Sequence, residues 1–166
     1  MIKVAKFGGS SVAGAEQFQK VKHIIEEDDT RRIVVVPAAG KRDADDHKLT
    51  DLLYLCHAHL NYGVSCDAVF DTVVQRFKEL RHELGLCYDV EAELDDLRNS
   101  LSKETSVDLL VSRGEYFTAR LMAEHLGYRF VDAADCVYFG LDGQIDQEKT
   151  YAAISEALGT YERIVI

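Results

Sequence analysis

The segment Arg31-Arg32-Ile33-Val34-Val35-Val36-Pro37 sets four consecutive apolar residues, all β-branched, between a charged pair and the only proline of the chain. Such a run is too short for a helix and too uniformly apolar for a strand with one wet face. It predicts a strand buried on both faces, the usual condition of a parallel sheet. Arg163-Ile164-Val165-Ile166 gives a second run of the same kind. Parallel strands cannot be joined by a tight turn, so the residues between must supply crossover connections, usually helices.

Ile2, Val4 and Phe7, with Ala5 between, predict a further short strand that Gly8 to Ser11 brings to an end. From Ala15 to Glu27 the apolar residues Phe18, Val21, Ile24 and Ile25 follow helical spacing, with Glu, Gln and Lys on the other side. Pro37 closes the next strand, and Gly40-Lys41-Arg42-Asp43 continues as an exposed loop. The pattern then predicts helices at 48–62, 65–84, 89–103 and 106–126, with Leu94, Leu97 and Leu101 on one inner face. Tyr128 to Gly140 returns to strand character, and Gln147 to Gly159 to helix. The alternation predicts an α/β class: a mainly parallel central sheet with helices on its faces, and a helical excursion over about 48–126 between two strands. No internal repeat, low-complexity tract or linker divides the chain, so 1–166 reads as one unit.

Nineteen Lys plus Arg against twenty-nine Asp plus Glu leave a formal charge of −10, which disfavours nucleic acid and anionic membranes as partners. A small anionic substrate stays open, because a few local donors can oppose the overall field. Cys56, Cys66, Cys87 and Cys136 form no CxxC pair, and no leader pattern precedes Val4, so the expected setting is the cytoplasm with reduced thiols. No apolar stretch approaches the roughly 20 residues that a membrane span needs.

The stretch Lys6-Phe7-Gly8-Gly9-Ser10-Ser11 bears on chemistry. A strand-glycine-helix junction leaves backbone N–H groups free, and glycines let phosphate oxygens approach them. Lys6 adds a point charge and the serines add donors. Glycine pairs also end strands for steric reasons alone, and both readings stand on residues alone. Neither GxxxxGK[ST] nor GxGxxG is present, so a phosphate site here would be of another kind. Glu115 has Val111, Ala119 and Met122 as helical neighbours, which predicts a carboxylate projecting from an apolar stripe: a structural ion pair, a position at the stripe's edge, or a ligand group. Gly114 beside it predicts a close approach of backbone or ligand at the same turn. Thr50 reads equally as an N-terminal cap. The two soft ligands Cys56 and His59 are too few for a metal site, Asp43-Ala44-Asp45-Asp46-His47 lacks the spacing of a calcium loop and reads as a solvated, mobile segment, and no metal ligand is assigned.

KFGGSSV at Lys6 to Val12, KLTDLL at Lys48 to Leu53 following VVVPAAGKR, and SRGEYFTARLMAEHLG at Ser112 to Gly127 resemble, in that order, the aspartate kinases. Uridylate, glutamate and acetylglutamate kinases share the fold but not this set of three. The resemblance implies the three-layer α/β/α sandwich of the amino-acid kinase type. It implies transfer of the ATP γ-phosphoryl group to the side-chain carboxylate of L-aspartate, giving 4-phospho-L-aspartate for lysine, threonine and methionine synthesis. ATP is then the co-substrate, Mg2+ comes with it, and the full-length enzyme is a homo-oligomer. By motif match Lys6 stabilises the transferring phosphoryl group, Gly8, Gly9 and Ser10 bind ATP phosphates, and Thr50 and Glu115 hold the aspartate, Glu115 facing its α-amino group.

Two departures accompany the resemblance. Pro37 stands where the family usually has a serine, and offers neither hydroxyl nor N–H. The family's second half of the kinase domain, with its nucleotide segment and substrate-binding arginine, has no counterpart, nor have its ACT domains. The chain is therefore expected to be the amino-terminal part of a catalytic domain, incomplete and inactive by itself; the alternative is a noncatalytic binding or interaction module that keeps the fold. Lys6 aimed into solvent on the opposite side of the sheet from Glu115 would undo the reading.

Overall fold

The β-branched runs become inner strands. In the computed structural model, which describes residues 1–166, β1 (Lys3–Lys6), β2 (Arg31–Val35), β3 (Arg129–Phe130) and β4 (Ile164–Val165) form one parallel sheet in the order β1-β2-β4-β3. Ile33 pairs with Ile164 and Val34 with Val165, and all four residues are buried. Because side chains alternate across a strand, two of these residues face each side, so both faces of β2 and β4 are covered.

The connections are helices. α1 (Ala15–Glu26) joins β1 to β2, and α2 (Leu49–Asn61), α3 (Asp67–Leu84), α4 (Val90–Ser100) and α5 (Val107–Leu126) form the excursion between β2 and β3. These bounds lie within three residues of those expected from periodicity. α6 (Ala133–Cys136) and α7 (Gln147–Thr160) lead from β3 to β4. The path from β2 to β3 steps two places along the sheet and the path from β3 to β4 steps one place back. With right-handed crossovers, α1 and α5 therefore lie on one face and α7 on the other, giving the α/β/α layers. Val34 and Val165 accordingly join the main core with Phe18, Leu121 and Met122, whereas buried Ile33 and Ile164 lie outside it. Val4, paired with Ile33 on the α7 face, is 62% exposed. No helix is long and apolar enough to cross a membrane.

α5 is bounded by its own sequence. Ser106 accepts from the Leu109 amide at one end, and at the other Gly127 takes φ 69°, a left-handed conformation that a side chain would strain. The strand expected over Tyr128 to Gly140 shrinks to Arg129–Phe130. The Asp132 side chain accepts from the Ala134 amide and starts the single turn of α6, and beyond it Phe139 pairs with Ile145 in an isolated antiparallel bridge. Alternating apolar residues were available for a longer strand, but the cap intercepts them.

His125, near the end of α5, is 8% exposed, its Nε2 has no partner, and Lys22 of α1 donates to its carbonyl oxygen at 3.1 Å. Burial, aided by the Lys22 charge, holds its imidazole below the ordinary histidine range. The unfolded chain takes up that proton near pH 6.5, and the folded protein only at lower pH, so stability falls as pH drops below about 6.5. Urea midpoints measured from pH 7 to pH 5 should decline, and His125→Phe should flatten the decline; an unaltered slope would assign it to other groups.

Candidate functional site

The last rung between β1 and β2 is the Phe7 amide to the Val35 carbonyl, at 3.0 Å. Beyond it Gly8 opens a short 3-10 turn, Gly9–Val12, with no side-chain cap. The Ser11 amide donates to the Gly8 carbonyl at 2.9 Å, while the amides of Gly8, Gly9 and Ser10 have no acceptor within the protein. Val12, fully buried, anchors the turn from below. Gly8 and Ser10 are exposed, so three successive N–H groups stand at the carboxyl edge of the sheet with their hydrogen bonds unused. This geometry accommodates both readings left open by the residues alone: Gly9 is packed against Gly40, and the amides beside it are free.

A second bend holds the first. After Val36, whose amide donates to Ile166, the chain passes through Pro37 to Ala38 and Ala39, both buried. The Gly40 amide then donates to the Gly9 carbonyl at 2.9 Å. A Cβ at Gly40 would lie 2.7 Å from the Gly9 carbonyl carbon, and one at Gly114 would lie 2.8 Å from the Ala38 Cβ. Buried Thr118 completes the arrangement: its hydroxyl donates to the Gly114 carbonyl at 2.7 Å and accepts from the Ala39 amide at 3.2 Å. The close approach expected at Gly114 is thus made by the methyl group of Ala38, neither by backbone nor by a ligand. Thr118 carries no sequence signal, since a threonine bonding four residues back is common on any helix.

Of the readings open to Glu115, the structure shows the position at the stripe's edge and no structural ion pair. The residue is exposed, lining a cavity of about 280 Å³ with Ser112, Ala119, Asp132 and Ile166. α5 runs against the strand direction, so its first half overhangs the carboxyl edge of the sheet and nothing closes over that turn, although Ala119 and Met122 farther along are buried. Thr50 is not a cap: α2 begins at Leu49 behind Lys48, no side chain caps it, and the Thr50 hydroxyl is half-buried without a protein partner. Lys6 ends β1 exposed and unpaired, and alternation puts it on the sheet face opposite α5. The condition named for undoing the reading is met as far as its face and exposure go. At the end of its strand Lys6 nevertheless stands at the same carboxyl edge as Glu115. Its role rests on the resemblance and on no contact.

The other constellations resolve simply. His57 bonds the Thr105 carbonyl and His59 the Ser65 carbonyl, and no three His, Cys, Asp or Glu side chains converge as a metal cage. The acidic segment after Gly40 is held, not loose. Asp43 accepts from the amides of Asp45 and Asp46, and the Asp46 carboxylate takes both the amide and the guanidinium of Arg42, at 2.9 and 3.0 Å. Burial would raise Asp46, but the bonds from Arg42 and the charge of Arg76 outweigh it and hold its carboxyl at about 2.

A parallel sheet with helices on both faces defines an α/β protein of the kind that binds ligands outside the carboxyl ends of its strands. The chain matches the amino acid kinase family over residues 1–166 and belongs to it. Among curated relatives it is 37% identical over 138 residues to Aspartokinase 3 of Bacillus subtilis (strain 168), covering 80% of this chain and 30% of that one. It is 30% identical over 173 residues to the chloroplastic Aspartokinase 2 of Arabidopsis thaliana, covering 93% and 31%. The crystal structure of Clostridium acetobutylicum aspartate kinase is similar over 99% of this chain and 38% of that chain, at 40% identity and a TM-score of 0.93. E. coli aspartokinase III, at 23% identity and a TM-score of 0.75, shares the fold. The chain spans about a third of the length of the curated relatives it matches.

The two glycine contacts make a direct prediction. Gly114→Ala must displace Ala38, and should cost about 1–3 kcal/mol in urea unfolding, the usual range for overpacking. Gly8→Ala, with nothing within 4 Å of its Cβ, should be close to neutral.

Proposed function

We propose that this chain is the amino-terminal part of an aspartate kinase catalytic domain, transferring the γ-phosphoryl group of ATP to the side-chain carboxylate of L-aspartate. The observation that carries the reading is the bend at Gly8, Gly9 and Ser10, three uncapped amides held rigidly by Gly40. The similarity to aspartokinases, one of them titled as a complex with aspartate and ADP, supports nucleotide and acceptor alike.

Phosphoryl transfer asks a protein chiefly for positioning and for neutralisation of charge on the transferring oxygens. The amides of Gly8 to Ser10 receive phosphate oxygens, and Lys6 brings an ammonium to the γ-phosphoryl group as an aspartate oxygen attacks phosphorus and ADP departs. Glu115, free of any protein cation, pairs with the α-ammonium of the substrate, and the unpartnered Thr50 hydroxyl supplies a further contact. Mg2+ comes with the ATP phosphates, and no residue of this chain is assigned to it. The remainder of the kinase domain supplies the adenine site and the clamp on the aspartate carboxylate. The same reading makes the whole enzyme a cytoplasmic homo-oligomer, a statement that rests on the resemblance alone.

The test uses the complete gene product in a coupled ADP-release assay. Lys6→Ala should lower kcat at least a hundredfold with little change in melting temperature. Glu115→Ala should raise KM for aspartate about ten- to a hundredfold, the worth of one charge-assisted hydrogen bond, and leave KM for ATP within about threefold. An unchanged aspartate dependence would remove Glu115 from the substrate site.

A further inference from the structure

Arg76, on α3, is the one buried side chain among the Lys, Arg, Asp and Glu residues, with 5% of its side chain exposed. Its guanidinium forks. Nη1 donates to the His47 carbonyl at 2.6 Å and Nη2 to the Gly40 carbonyl at 2.8 Å, while Asp46 Oδ2 lies 3.3 Å from Nη1. Those two carbonyls are the two ends of the connection between the second bend and α2. At one end, the Gly40 amide holds the Gly9 carbonyl and with it the three free amides. At the other, His47 leads directly into Lys48 and the turn that carries Thr50.

Stability alone does not account for an arginine here. A buried cation that shares its single carboxylate with Arg42 is often replaceable by apolar side chains without loss. What an apolar residue cannot do is hold two carbonyls at a fixed separation, which the planar fork of arginine does and the single ammonium of lysine does not. We propose that Arg76 is a positioning residue for phosphoryl transfer, setting the distance between the amide bend for the ATP phosphates and the Thr50 turn for the acceptor. This rests on the kinase reading given above. α3 carries none of the residues assigned there to substrate, so this helix would act on the reaction through this side chain alone.

The experiment compares Arg76→Lys, Asp46→Asn and Leu94→Ala in the complete gene product, each assayed well below its melting transition and corrected for folded fraction by circular dichroism. Arg76→Lys should lose about tenfold or more in kcat/KM, with KM for ATP and for aspartate both raised. Leu94→Ala, which empties a core position on α4 remote from the bends, should melt earlier yet keep kcat and both KM values. If Arg76→Lys changes only the melting temperature, the proposal is overturned. Asp46→Asn keeps the test decisive should the lysine variant fail to fold: it should raise both KM values to a smaller degree, and an effect confined to stability would count equally against the idea. A wild-type product that does not phosphorylate aspartate would sink the kinase reading alone. Calorimetric titration with ADP then decides this inference, with about tenfold weaker binding expected for Arg76→Lys and equal affinities overturning it.

Discussion

Two glycines packed without room for a side chain control the arrangement of the site, one against backbone and one against a methyl group. Gly40 lies against Gly9, and Gly114 against Ala38, each at a distance a Cβ would violate. Through them three segments far apart in sequence, the bend after β1, the bend after β2 and the middle of α5, become one rigid body at the carboxyl edge of the sheet. The Thr118 hydroxyl bonds both α5 and the Ala39 amide, so the second bend keeps its buried polar group satisfied while passing through the core. Free amides are useful to an anion only if they are already in place, and this packing holds them there before any ligand arrives.

The net charge of −10 works against the proposed phosphate site, yet the local donors are of the kind that an acidic protein can use. Peptide N–H groups bring partial positive charge without a counter-charge to be neutralised. Most of the arginines and lysines are occupied elsewhere: Arg42 by Asp46 and Glu79, Arg120 by Glu93, Arg98 by Asp71. Such pairs at the surface contribute little to stability. Lys6, at the end of β1, is among the cations with no carboxylate partner.

Much of the fold could be read from short stretches. Ile33 to Val36 and Ile164 to Ile166 are apolar on every position and could be nothing but inner strands, and the four helices of the excursion follow from periodicity because each buries a continuous stripe. Tyr128 to Gly140 misled because alternating apolar residues signal a strand, while the cap at Asp132 depends on one local hydrogen bond. Within the site, Gly8 to Ser10 was legible as a junction. Glu115 was legible as a residue, but whether it sat in an ion pair or at the edge of its stripe was not, since the pattern of a helix says which face is apolar and not how far the helix extends beyond the sheet. Arg76 and Thr118 were not legible, because their partners are backbone carbonyls and amides, which have no letter in a sequence.

By itself the order of residues determined the parallel sheet, the helices that cross over it and the presence of a glycine bend behind a lysine, all of them consequences of interactions within a few residues. Only the tertiary structure decided that Gly40 would brace that bend, that α5 would overhang the sheet edge and leave Glu115 in the open, and that Arg76 would tie together both ends of an acidic loop. These depend on distances between segments tens of residues apart, which side-chain volume and backbone hydrogen bonding fix only once the layers have packed.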